Sequence, residues 1–100
     1  MIRGGVVYII TNKNKTTLYT GVTSNLKRRI TEHKQHIHSG SFSDRYNLEI
    51  LVYYETFPFI DEAIAREKQL KAGNRKRKED LINSINPEWK DLFDEIKDWQ

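Results

Sequence analysis

The chain has 100 residues, of which 37% are hydrophobic and 31% charged, with a formal net charge of +3. That length suits one domain with a modest core, so residues 1–100 are read as a single domain whose core spans about 5–93. Cysteine is absent, which excludes disulfides and thiolate metal sites, and no apolar run approaches a membrane span.

Val6 to Thr11 and Thr16 to Val22 are β-branched and aromatic, and the polar Asn12-Lys13-Asn14-Lys15 lies between them. This predicts a β-hairpin. A four-residue loop closing on Thr11 and Thr16 sets Tyr8 opposite Tyr19, with Cβ atoms roughly 5 Å apart. A slip of one residue would send the two phenols to opposite faces. Gly21 is expected where the backbone bends toward a helix. Ser24 is the expected cap of that helix, which runs from about Asn25 to His36 with an apolar stripe of Leu26, Ile30 and Ile37. His33 falls on the stripe, and Arg29 lies one turn before it, so the two side chains can converge. His36 to Ser41 reads as helix exit and loop.

Leu48 to Glu55 is a third strand, and its continuous apolar centre from Ile50 to Tyr54 predicts a buried position. Pro58 ends it and Asp61 opens a second helix with Ile60, Ala63, Ile64 and Leu70 inward. Glu67 occupies a place on that stripe where an aliphatic residue belongs. Gly73 or Asn74 separates a further helix, about Arg75 to Ser84, with Leu81, Ile82 and Ile85 inward. Asn86-Pro87 predicts the cap and first turn of a last helix carrying Trp89, Leu92, Phe93 and Ile96.

Basic residues crowd Lys27 to Lys34 and Lys68 to Lys78, while Glu88, Asp91, Asp94, Glu95 and Asp98 collect late. Lys27, Arg28, Lys68, Lys71, Arg75, Lys76, Arg77 and Lys78 are therefore candidate contacts to nucleic-acid phosphates. Charge alone fits ordinary helix surfaces equally well.

Arg29, His33 and Glu67 break the apolar pattern. Singly, each has a plain explanation: a satisfied core histidine, a glutamate paired with Lys71, an arginine reaching water along its stem. Three together, beside two tyrosines, point to a phosphodiester site. The guanidinium of Arg29 can hold two phosphate oxygens. Glu67 suits Mg²⁺, which keeps waters and takes substrate phosphate oxygens. A phenol of ordinary pKa about 10 can accept a proton once cations lower it, and His33 can move protons or orient a phenol. His33, His36 and His38 do not share one helical face, which argues against a zinc centre.

Val6-Val7-Tyr8, Tyr19-Thr20-Gly21, Asn25-Leu26-x-x-Arg29, His33 and Glu67, at this spacing, resemble the GIY-YIG nuclease superfamily, and most of all its small stand-alone bacterial members. The similarity runs from about Val6 to Leu92. It implies an α+β fold, with a small three-stranded, largely antiparallel sheet flanked by helices. It also implies a metal-dependent endonuclease cutting DNA, with Tyr8, Tyr19, Arg29, His33 and Glu67 at the site and Glu67 holding a single Mg²⁺ or Mn²⁺. Processing of branched DNA in repair, in the bacterial cytoplasm, is the expected setting. Which tyrosine activates water stays open. Val6 replaces the first motif glycine, and Val22 stands where several relatives place a lysine, a role left to Lys27 or Lys71. The alternative is a nucleic-acid-binding module that does not cleave and works with a partner protein. A third candidate is a protein-interaction domain using Trp89, Phe93 or Trp99. A partner protein or a second copy of the chain is left open.

Overall fold

The computed structural model describes residues 4–99. Its elements in chain order are β1 (Gly5–Thr11), β2 (Leu18–Thr23), α1 (Leu26–Lys34), α2 (Phe42–Arg45), β3 (Ile50–Phe57), α3 (Ile60–Ala72), α4 (Arg75–Ile85) and α5 (Phe93–Ile96). The three strands lie in the order β2-β1-β3, and both pairings are antiparallel. This is the α+β sheet with flanking helices that the sequence predicts.

Every residue of β1 is buried, because it is the central strand and helices cover both of its faces. Val6, Tyr8 and Ile10 pack with Leu26, Ile30 and Ile96 from α1 and α5. Val7 and Ile9 pack on the other side with Ala63, Leu70 and Ile82 from α3 and α4. The sequence placed the buried strand at β3 instead. Leu51, Val52 and Tyr53 are indeed buried, but β3 is an edge strand. It also starts two residues later than expected, since Leu48 is tied to α2 by its N–H donating to the Ser43 carbonyl at 2.8 Å.

The hairpin register differs by two residues from the expected one. Thr11 pairs with Leu18, Tyr8 with Gly21, and Tyr19 with Ile10. The loop is longer because Asn12 Oδ1 accepts from the N–H groups of Thr16 and Thr17, at 2.8 and 3.2 Å, holding both outside the ladder. A two-residue displacement conserves faces, so the tyrosines still share one and stand diagonally instead of opposite. Gly21 is not at a bend. It lies within β2, and a Cβ there would collide with the Tyr8 hydroxyl, so this glycine makes room for the phenol.

Asn25, not Ser24, caps α1, its Oδ1 accepting from Arg28 N–H at 3.0 Å. The helix ends at Lys34, which leaves Ile37 exposed and off the stripe. On α3, Ala63 and Leu70 are buried, whereas Ile60 and Ile64 are exposed. On α4, Ile82 is the buried residue and Ile85 is exposed. The predicted last helix is mostly absent. Asn86 bonds through its side chain to the backbone of Val52 and Lys90, and Trp89 has φ 55°, so Asn86 to Leu92 is an irregular turn. A side-chain amide serving the backbone this way competes with helix formation. Only Phe93–Ile96 is helical.

Candidate active site

Four of the five residues singled out by sequence line one cavity of about 340 Å³: Tyr8, Tyr19, Arg29 and His33. His38 joins them, together with Ser41, Phe42 and Ser43 from the α2 turn. The strand alternation of β1 turns Tyr8 toward α1, and the helical stripe Leu26, Ile30, His33 turns the imidazole back toward the sheet. Ring centroids are 6.4 Å apart for Tyr8 and Tyr19, 5.8 Å for Tyr8 and His33, and 6.3 Å for Tyr19 and His33.

A polar chain crosses this cluster. The Tyr8 hydroxyl is 3.1 Å from His33 Nε2, His33 Nδ1 is 3.0 Å from Ser43 Oγ, and Ser43 Oγ is 3.2 Å from Ser41 Oγ. Tyr8, His33 and Ser43 are all buried. Burial, helped by the neighbouring Tyr19 and the negative charge of Glu67, pushes the Tyr8 phenol up to about 12, against the pull of Arg29. Burial also pushes His33 down to about 4, reinforced by the positive charges of Arg29 and His38 and opposed by Glu32. At neutral pH the phenol therefore keeps its proton and the imidazole is uncharged.

Arg29 is part-exposed at the cavity rim, its Nε 3.4 Å from Glu32 Oε1. Glu32 is shared with Arg28 and His38, each at 3.2 Å. The hydrogen bond from His38, followed by that from Arg28, holds its carboxyl below the usual range. Glu67 comes from α3, which packs on the opposite face of the sheet and along β2. Its carboxylate is 3.2 Å from Lys71 Nζ, which in turn sits 5.5 Å from the centre of the Tyr19 ring. Lys71 thus lies between Glu67 and Tyr19, although neither Lys71 nor Glu67 lines the cavity itself. Lys27 is not among the cavity residues.

The sequence of this arrangement has relatives. Residues 4–80 match the family model of the GIY-YIG catalytic domain. The chain belongs to the GIY-YIG family. It is 38% identical over 68 residues to a UPF0213 protein of Desulfotalea psychrophila, a match covering 68% of this chain and 62% of that protein. A UPF0213 protein of Syntrophus aciditrophicus is 34% identical over 82 residues, covering 82% and 92% respectively. Among solved structures, the solution NMR structure of a UPF0213 protein from Bacillus halodurans superposes with a TM-score of 0.55 at 27% identity, covering 88% of this chain and 92% of that one.

Divalent metal use is implied by this family, and the donor set here fits it in one form only. Among the described residues no group of three His, Asp or Glu side chains could cage an ion. Glu67 is a single, largely buried carboxylate with its Oε2 turned to Lys71. That suits Mg²⁺ bound through one carboxylate, with water and substrate phosphate supplying the remainder.

The cations expected to meet phosphates are divided. Arg28 pairs with Glu32 beside the site. Arg75 donates to the carbonyls of Thr16 and Lys15, at 2.9 and 2.8 Å, and pairs with Glu79, so it pins the β1–β2 loop. Lys76 pairs with Asp80, and Lys78 donates to the Gly73 carbonyl at 3.5 Å. Lys68 and Arg77 are exposed. Because α4 packs under Ile9, its cations lie across the sheet from the cavity. Trp99 is not loose: it stacks edge-on against Tyr54, at 5.5 Å. Trp89 and Phe93 are also part-buried.

Sequence reasoning missed the α2 turn. Ser41 caps it by accepting from Asp44 N–H at 3.2 Å, and the Ser-x-x-Asp spacing of Ser41 and Asp44 is a legible capping-box signal. Nothing in the sequence marks Ser43 as the partner of His33, a contact between residues ten positions apart.

Proposed function

We propose that this chain is a divalent-metal-dependent endonuclease that hydrolyses DNA phosphodiester bonds, acting in the processing of branched DNA during repair. The observation that carries the reading is the convergence of two phenols, a guanidinium and a buried imidazole on one cavity, in a chain of the GIY-YIG family.

Arg29 holds two non-bridging phosphate oxygens through its planar fork and neutralises the charge that builds on them. In this reading the Tyr8 hydroxyl, 3.1 Å from His33 Nε2, donates to it, and His33 Nδ1–H donates to Ser43 Oγ at 3.0 Å, the tautomer whose lone pair faces Tyr8. As water attacks phosphorus, its proton passes to the Tyr8 oxygen while the phenolic proton moves to His33 Nε2. The P–O bond to the leaving oxygen breaks, and that oxygen is protonated from solvent. A bound phosphodiester adds negative charge near His33, which raises its basicity when it is needed. Glu67 would hold Mg²⁺ or Mn²⁺, which would supply the charge to polarise the phosphate and stabilise the leaving oxygen.

One observation favours a second reading. The ion pair between Glu67 and Lys71 occupies the carboxylate assigned to the metal, which suits a binding module that cleaves only with a partner. A panel of duplex, flap, nicked and four-way DNA with Mg²⁺ or Mn²⁺ separates the two. The wild-type chain is expected to cut at least one substrate, and Glu67→Ala to abolish cutting without unfolding. Undiminished cutting by that variant removes Glu67 from the site. Salt-sensitive binding with no nicking in either metal overturns the nuclease reading in favour of the binding module.

A further inference from the structure

Phe42 and Tyr46 are 49% and 42% exposed on the α2 turn, their ring centroids 4.7 Å apart. Phe42 is also 6.1 Å from Tyr19, at 32° between planes. The three rings form a row running from solvent into the cavity that holds Tyr8 and His33.

The row is presented from a fixed support. Ser41 caps the turn, and Asp44 accepts from Gly40 N–H at 3.1 Å and contacts His36 Nδ1 at 2.8 Å. The Ser43 carbonyl accepts from Leu48 N–H. Turning Ser43 inward to His33 leaves Phe42 outward, so one short helix sets both the polar chain and the exposed ring. Cations flank the row: Arg45 is exposed within the turn, Arg29 stands at the rim, and Lys71 lies over Tyr19.

Flat apolar faces beside fixed positive charge suit a nucleobase stacked on a ring with its phosphate on a guanidinium. A base inside a duplex has both faces covered by its neighbours and cannot reach such a row. We propose that Phe42 and Tyr46 form a stacking site for an unpaired base next to the phosphate bound at Arg29, so that the favoured DNA is single-stranded or carries an unpaired nucleotide at the cut. The inference rests on reading the cavity as a phosphodiester site.

The test is binding without divalent metal, where no cleavage occurs, using a labelled single-stranded DNA oligonucleotide and the matching duplex. Phe42→Ala is expected to weaken single-strand binding by roughly tenfold and leave duplex binding unchanged. Phe42→Trp keeps the single-strand affinity, and its added indole is quenched on binding. Tyr46→Ala repeats the selective loss. A loss shared equally by strand and duplex, no loss in either, or an indole that does not respond overturns the stacking site. Its failure is separable from that of the nuclease reading. A chain that stacks single strands but cuts nothing loses the second, and one that cuts normally as Phe42→Ala loses the first.

Discussion

Val6, Tyr8 and Ile10 on one face of β1, and Val7 and Ile9 on the other, are all fully buried, yet their surroundings differ. The face under α3 and α4 is apolar, and its charges meet at the rim. There Arg66 holds Glu55 through Nε and Nη2 at 3.0 Å each, and Tyr53 donates to the same carboxylate. The face under α1 carries polar groups into its centre and engages each of them, from Tyr8 through His33 to Ser43. Burial of this kind costs stability and moves Tyr8 up and His33 down. On the opposite face Tyr53 is likewise pushed up to about 12, by burial and its bond to Glu55, so the shift that distinguishes the α1 face is that of His33. Such groups gather where chemistry is done. Among the described residues, the polar defect of the opposite face is Thr20, which pairs with Ile9 and has a buried Oγ1 without a partner.

Predictions follow from this contrast. Arg29→Ala should lower the cleavage rate by about 10²–10³, or about 2.7–4 kcal/mol of transition-state stabilisation, while the part-exposed side chain leaves the melting temperature almost unchanged. Single-turnover kinetics and thermal melts check both halves.

Next in size is a pH effect specific to the polar face. His33 titrates near 4 in the fold and near 6.5 when unfolded, so between these values the unfolded chain binds the extra proton. The stability owed to neutral His33 is complete above pH 6.5 and is lost as pH falls toward 4, by up to roughly 3 kcal/mol. Urea unfolding from pH 7 to 4 measures it, and His33→Gln should flatten that slope. His36 runs the other way. Hydrogen bonds to Asp44 and Glu49 raise its pKa, so its contribution is present below 6.5 and fades as pH rises through the raised value.

Gly21→Ala pushes a methyl group into the Tyr8 hydroxyl and should cost roughly 1–3 kcal/mol of stability. Unlike Arg29→Ala, it should lower activity and melting temperature together. The smallest pair is the most direct comparison of the faces. Thr20→Val removes an unpartnered hydroxyl and should stabilise by about 1 kcal/mol, whereas Ser43→Ala leaves His33 Nδ1 unpaired and should destabilise by about 1–3 kcal/mol. Equal and same-signed changes in denaturant midpoints would erase the distinction.

Much of this was legible in the residues. Period-two alternation put Tyr8 and Tyr19 on one face even though the loop length misled the register, because faces survive a two-residue displacement. Helical spacing brought Arg29 and His33 to the cavity. What stayed hidden depends on long-range contact. The centre of β3 reads as apolar because helices cover both its faces, α5 beside Leu51 and α4 beside Val52 and Tyr53, which says nothing of edge or centre. Asn86 looks like a cap and instead serves the backbone of Val52 and Lys90. Arg75 looks like a phosphate contact, and its guanidinium is spent on the β1–β2 loop. Gly21 looks like a bend, when what fixes it is a ring on the neighbouring strand.

The central claim is that one face of the sheet aims a proton acceptor at Tyr8. Nitrogen chemical shifts of the His33 ring at pH 7 test it most directly. The account predicts a neutral imidazole protonated on Nδ1, with its Nε2 lone pair toward the phenol, and loss of that preference in Ser43→Ala. A ring protonated on Nε2, or charged at pH 7, would contradict it.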